Sequence, residues 1–217
     1  LGDSFTSGQG ELDDSFYLAE TNTKTNQCHV SKRSYPYLLG RSWVIPTVNR
    51  ACSGATIGSV LSAGHTEAKN GEPASLVSVS VGGNDIDLPG KLKTCLGPGT
   101  CEWATPERRK ASAHEYSALL PRLTEAIGDI RTIYPGASLF VVGYPGGINS
   151  DEGAACSLRV LSLLNQAERR FFGESISYLN QVLRAASAYA GVRFVDIEQA
   201  YTGERLCDAS EKAMNAL

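Results

Sequence analysis

Leu1-Gly2-Asp3-Ser4-Phe5-Thr6-Ser7-Gly8 is the stretch whose reading decides the fold. An apolar residue followed by Gly, Asp and Ser, with more small residues behind, reads as a strand leaving a sheet at a tight turn and feeding a helix or loop. Ser4 then sits at the carboxyl end of a strand, where open α/β sheets bind their ligands, and Gly2 lets the backbone come close to whatever is bound. That is the position a nucleophile needs. A Gly-Asp-Ser tripeptide is also an ordinary turn, so the reading leans on two later stretches, Ala51-Cys52-Ser53-Gly54-Ala55-Thr56 and Val81-Gly82-Gly83-Asn84-Asp85. Each follows a run with strand character, residues 43–48 for the first and 76–81 for the second. Three small-residue turns at three strand ends can converge on one site.

On Gly2-Asp3-Ser4 with Ser7-Gly8 behind it, on Gly54 in its stretch, and on Gly82-Gly83-Asn84-Asp85, the chain resembles the SGNH or GDSL hydrolases, especially their secreted actinobacterial esterase and lipase branch. Order and spacing fit, and the similarity runs through nearly all of the 217 residues. The resemblance implies that Ser4 is the nucleophile. It implies an oxyanion hole made by the backbone N–H of Ser4, the backbone N–H of Gly54 and the side-chain amide of Asn84. It also implies a flavodoxin-like three-layer α/β/α sandwich with a parallel sheet of about five strands, acting on a small-molecule or lipid ester without cofactor or metal. The chemistry supports those residue types by itself. Ester cleavage passes through a tetrahedral intermediate whose oxygen carries negative charge, and fixed neutral donors aimed at that oxygen lower the barrier. The plainer alternative for Asn84 is an Asx turn bonding to its own backbone.

One part of the pattern departs from the family. Its general base is a histidine near the carboxyl terminus, usually in Asp-x-x-His, and this chain has no histidine after His114. His29 beside Cys28, His65 in a turn region over 64–71, and His114 on an amphipathic helix all read as surface residues. The expectation is a single domain over 1–217 that is trimmed at both ends, with a strand upstream of Leu1 and the histidine downstream of Leu217. The alternatives are a second chain supplying the histidine, or a non-catalytic carbohydrate- or lipid-binding module that keeps the fold.

Composition narrows the field. One domain with a sizeable core fits 217 residues at 42% apolar and 20% charged. A net charge of −3 offers no footprint for nucleic acid. Lys91-Leu92-Lys93 and Arg108-Arg109-Lys110 read as solvated faces, and no apolar run reaches the roughly 18 residues of a membrane helix. A monomer without stable membrane insertion is expected. Neither Gly-x-Ser-x-Gly nor a P-loop is present, which sets aside the α/β-hydrolase elbow and a nucleotide site. The six cysteines lack paired Cys-x-x-Cys spacing, so disulfides are favoured over zinc, although six allow 15 pairings. The resemblance implies Cys28 with Cys52, Cys95 with Cys101, and Cys156 with Cys207, and disulfides place the protein outside the cytosol.

Along the chain, residues 8–30 form a long polar loop without helical or strand period, tied down by Cys28 and placed to wall the site. Its acidic residues match no calcium-loop spacing. Residues 34–40 read as a short helix capped by Ser34, 43–48 as an edge strand because of Pro46, and 57–61 as a short helix. A Gly/Pro-rich insertion covers 89–105, where Trp103 is either a local anchor or a lip of the site. Thr105 caps a long helix that Pro121 should kink and Pro135-Gly136 ends. Residues 138–144 read as a central strand covered on both faces. A second long helix spans about 158–189, with Gly173 as a possible break. Residues 192–197 make the last strand, with Asp196 closing its turn.

Overall fold

In the computed structural model, the residues described are 1–71, 73–95, 101–152, 156 and 164–208. Three strands, β1 (Leu76–Val79), β2 (Ser138–Val142) and β3 (Arg193–Val195), pair in that order, all parallel. The register sets Val79 beside Val141 and Val142 beside Val195. On the free edge of β1 lies the opening of the chain: Gly2 bridges Ser80 in parallel, and the nitrogens of Leu1 and Asp3 donate to the carbonyls of Ser78 (2.9 Å) and Ser80 (3.2 Å). On the far side of Gly2, its carbonyl accepts the N–H of Cys52 at 3.0 Å. The spatial order is therefore the segment ending at Cys52, residues 1–3, β1, β2, β3. That is the doubly wound order 2-1-3-4-5 of an open α/β sheet.

Alternation along β1 assigns the layers. Val77 and Val79 are buried in the core with Leu123, Ile127, Val141, Leu179 and Leu183. Ser78 between them faces the other way, where its Oγ meets Tyr35 Oη at 3.1 Å. Tyr35 opens α2 (Tyr35–Trp43), so α2 covers one face. The other face carries α3 (Ile57–Asn70), α5 (Pro106–Ile133) and α6 (Gln166–Tyr189), which pack in that order. Each crossover helix is long enough to return the chain from the carboxyl end of one strand to the start of the next, right-handedly. α5 and α6 bury Tyr116, Leu119, Leu123, Ile127 and Ile130 against Phe171, Leu179, Leu183 and Ala186. Capping is as the side chains dictate: Thr105 Oγ1 accepts the Arg108 N–H, and Asn165 and Glu168 form a reciprocal capping box on α6.

Several expectations change. Residues 43–48 are not a strand. Trp43 closes α2, Val44 is left-handed (φ 56°), and residues 45–50 run without a ladder partner among the described residues. The helix expected over 57–61 runs on to Asn70, and it carries His65 on its exposed side rather than in a turn. Within the Gly/Pro-rich insertion, Leu88–Cys95 forms α4, while 96–100 lies outside the described residues. Lys91 is not solvated: it is 3% exposed, paired with Glu115, with its ammonium 4.8 Å from the Trp103 ring centroid. Trp103 is thus the local anchor, its Nε1 donating to Thr94 Oγ1. α6 continues through Gly173, where a Cβ would stand 3.0 Å from Ser150 Oγ. The start expected for that helix, 158–163, lies outside the described residues. Asp196 accepts the Glu198 N–H and pairs with Arg184, a turn-closing role that holds its carboxyl below the usual range.

Candidate active site

Ser4 is the first residue of α1 (Ser4–Ser7), a single turn capped by Asp3, whose Oδ1 accepts the Phe5 N–H at 3.1 Å. The cap needs the chain to turn hard out of the sheet, and Gly2 makes that possible. Its φ is +148°, and a Cβ there would stand 2.5 Å from Thr6 Oγ1 and 2.6 Å from the Ser80 carbonyl. Thr6 and Ser7 are fully buried, whereas Ser4 is half-buried.

Gly54 occupies an exposed turn closed by the Ala55 N–H on the Cys52 carbonyl (3.0 Å), with φ +76°. The Cys28–Cys52 disulfide and the Ser53 N–H on the Cys28 carbonyl (3.1 Å) pin this turn to the long polar loop. Ser53 Oγ also donates to Gln9 Oε1 from the start of that loop. The loop therefore stands beside the candidate site, as the position of Cys28 suggests. The other pairs close as well, Cys95 with Cys101 and Cys156 with Cys207.

Asn84 does not make the Asx turn. Its Nδ2 crosses to the Ala55 carbonyl at 2.9 Å, which orients the amide and leaves its second N–H without an acceptor among the described residues. The N–H groups of Ser4 and Gly54 also lack acceptors among the described residues. Next to Asn84, Asp85 is walled in. Its carboxylate accepts the Ile57 N–H at the start of α3 (3.0 Å) and the Arg122 guanidinium (2.8 Å). Asp85 thereby locks the Asn84 turn to two helices, a role its place in the motif did not reveal.

The three turns are joined pairwise. Cys52 N–H on the Gly2 carbonyl ties the Ser4 and Gly54 turns, and Asn84 on Ala55 ties the Gly54 and Asn84 turns. The third junction runs through Tyr144, whose hydroxyl donates to Asp3 Oδ2 (2.5 Å) and accepts the Gly83 N–H (3.4 Å). Burial pushes the Asp3 carboxyl up to about 6 and the Tyr144 phenol well above its ordinary value. Of the histidines, His65 and His114 are exposed. His29 is half-buried, its ring 5.4 Å from that of Tyr17.

A serine turn, a glycine turn and an asparagine turn are thus gathered at the carboxyl edge of an open parallel α/β sheet. A model of the GDSL-like lipase/acylhydrolase family matches residues 1–214, and the chain belongs to that family of ester hydrolases. It is 30% identical over 213 residues to "Lipase 1" of Streptomyces coelicolor, covering 97% of this chain and 72% of that protein. It is 29% identical to a lipase of Streptomyces rimosus, covering 97% and 73%. Among solved structures, the extracellular lipase of Streptomyces rimosus superposes with a TM-score of 0.79 at 27% identity, covering 96% of this chain and 83% of that one. Phospholipase A1 of Streptomyces albidoflavus superposes with a TM-score of 0.69 at 25% identity, covering 95% and 81%.

Proposed function

We propose that this protein is a secreted serine ester hydrolase acting on lipid or small-molecule acyl esters. Ser4 Oγ attacks the ester carbonyl, the alcohol departs, and water later releases the acid from the acyl-enzyme. The tetrahedral oxyanion is met by the N–H of Ser4, the N–H of Gly54 and the free N–H of Asn84. These neutral donors are already fixed before charge develops, which is where their catalytic value lies. The observation that carries the reading is the pairwise joining of the three turns, which leaves one unused donor on each. Ser4 requires a general base, and the family resemblance implies that this base is a histidine. Lipid esters are favoured because the named relatives are lipases and a phospholipase A1. Three disulfides and an extracellular relative support secretion. No helix among the described residues is long and apolar enough to cross a membrane.

The experiment is to react the full-length protein with a fluorophosphonate and map the adduct. Labelling at Ser4, abolished together with ester hydrolysis in Ser4→Ala, is the expected result. An adduct elsewhere, or full activity in Ser4→Ala, would refute the assignment.

A further inference from the structure

Two of the three turn junctions are direct main-chain or amide contacts, but beyond the last strand bond, Asp3 N–H on the Ser80 carbonyl, the one between the serine turn and the asparagine turn depends on a single side chain. Tyr144 follows β2 and is buried. Its main chain is clamped by α6: the Tyr144 N–H donates to Asn180 Oδ1 and Asn180 Nδ2 donates to the Tyr144 carbonyl, both at 2.8 Å. Gly143 makes the clamp possible, since a Cβ there would stand 2.8 Å from Asn180 Oδ1. The ring packs 6.0 Å from that of Phe5, so the phenol has little freedom to swing. Its one hydroxyl then serves both turns. From Gly83 N–H to Tyr144 Oη to Asp3 Oδ2, with Asp3 Oδ1 on Phe5 N–H, the bonds run unbroken from the residue before Asn84 to the first turn of the helix that Ser4 opens.

We propose that Tyr144 is a positioning residue for ester cleavage: its hydroxyl fixes the gap between the nucleophile and the side-chain oxyanion donor by tying Asp3 to Gly83. This rests on the roles given above to Ser4 and Asn84. Without the hydroxyl, those two are related through the backbone, by the Asp3 N–H on the Ser80 carbonyl four residues before Asn84, and through the Gly54 turn. A displacement of about 1 Å between reacting groups costs on the order of a hundred-fold in rate. The link is buried at both ends, so water does not replace it.

The test is Tyr144→Phe in the full-length active enzyme, with a p-nitrophenyl acyl ester as substrate. The expected result is a kcat about ten- to a hundred-fold lower at nearly unchanged KM, with phosphonylation of Ser4 slowed by a similar factor. Asp3→Asn, which keeps an acceptor for Phe5 N–H, lowers kcat less, and the double variant shows far less than the product of the two losses because both act through one bond. An unchanged kcat, a loss seen only in KM, or multiplicative losses in the double variant overturns the proposal. If Tyr144→Phe does not fold, Asp3→Asn decides by itself, and an unchanged kcat there overturns it. Mapping the wild-type adduct separates the two levels: an adduct away from Ser4 sinks the underlying reading, whereas an adduct on Ser4 with equal labelling rates in wild type and Tyr144→Phe sinks only this one.

Discussion

Asp3 holds a carboxyl group in a place where water barely reaches, one residue from the nucleophile, and this makes its ionisation part of the folding equilibrium. Burial raises it from 3.8 to about 6, against the opposing pull of the Tyr144 hydroxyl and the Phe5 N–H. Between those values the folded state binds the proton more tightly than the unfolded state. The contribution to stability is therefore fully present below about pH 4 and lost as pH rises through about 6. At about 1.4 kcal/mol per unit, the loss by neutral pH is on the order of 3 kcal/mol. Asp3→Asn should flatten this segment of the curve, read as urea-unfolding free energies from pH 4 to pH 7. An unaltered slope would show that the carboxyl titrates elsewhere. Asn84 gives the matching prediction for activity: Asn84→Ala should lower kcat by about 100- to 1000-fold with little change in KM, as loss of one oxyanion donor does. A kcat within a few-fold of wild type would remove Asn84 from the oxyanion hole.

At the scale of elements, the disulfides decide how firmly the walls of the crevice are held. Cys156–Cys207, Cys28–Cys52 and Cys95–Cys101 span 51, 24 and 6 residues. On the chain-entropy argument their removal costs about 4, 3 and 2 kcal/mol in that order. Paired Cys→Ala variants, unfolded in urea, check the ranking. Loss of Cys28–Cys52 should also expose residues 9–27 to limited proteolysis before global unfolding, since the loop has little regular structure of its own. Much of this was legible in the sequence, because small-residue turns, caps and helical periodicity are local. The stretch 43–48 misled because Trp, Val and Ile look like a strand in any window. What defeated that reading was the continuation of α2 past Gly40 and the lack of a strand opposite. Lys91 misled because Lys-Leu-Lys looks uniformly polar, yet residues two apart on a helix point to nearly opposite sides. The Asp3–Tyr144 bond joins residues 141 apart, and no local pattern announces such a contact.

On the scale of the whole molecule, a group of exposed apolar side chains among the described residues lies toward the amino ends of the strands, away from the strand ends that gather Ser4, Gly54 and Asn84. Trp43, Val44, Ile45 and Val48 are 55%, 89%, 45% and 59% exposed, and Leu76 at the start of β1 is 42% exposed. Cys52 and Ser80 flank Gly2 on its two sides, so counting back four residues from each brings Val48 level with Leu76. These side chains therefore stand toward the amino ends of the strands, opposite the end that carries Ser4. A change there should leave the site untouched: Val48→Lys, at an exposed position, should alter the unfolding free energy by no more than about 0.5 kcal/mol, with fluorophosphonate labelling of Ser4 at the wild-type rate. Urea unfolding and the labelling rate measure the two effects. A labelling rate several-fold below wild type would show that this end of the sheet is coupled to the turns that hold Ser4, Gly54 and Asn84.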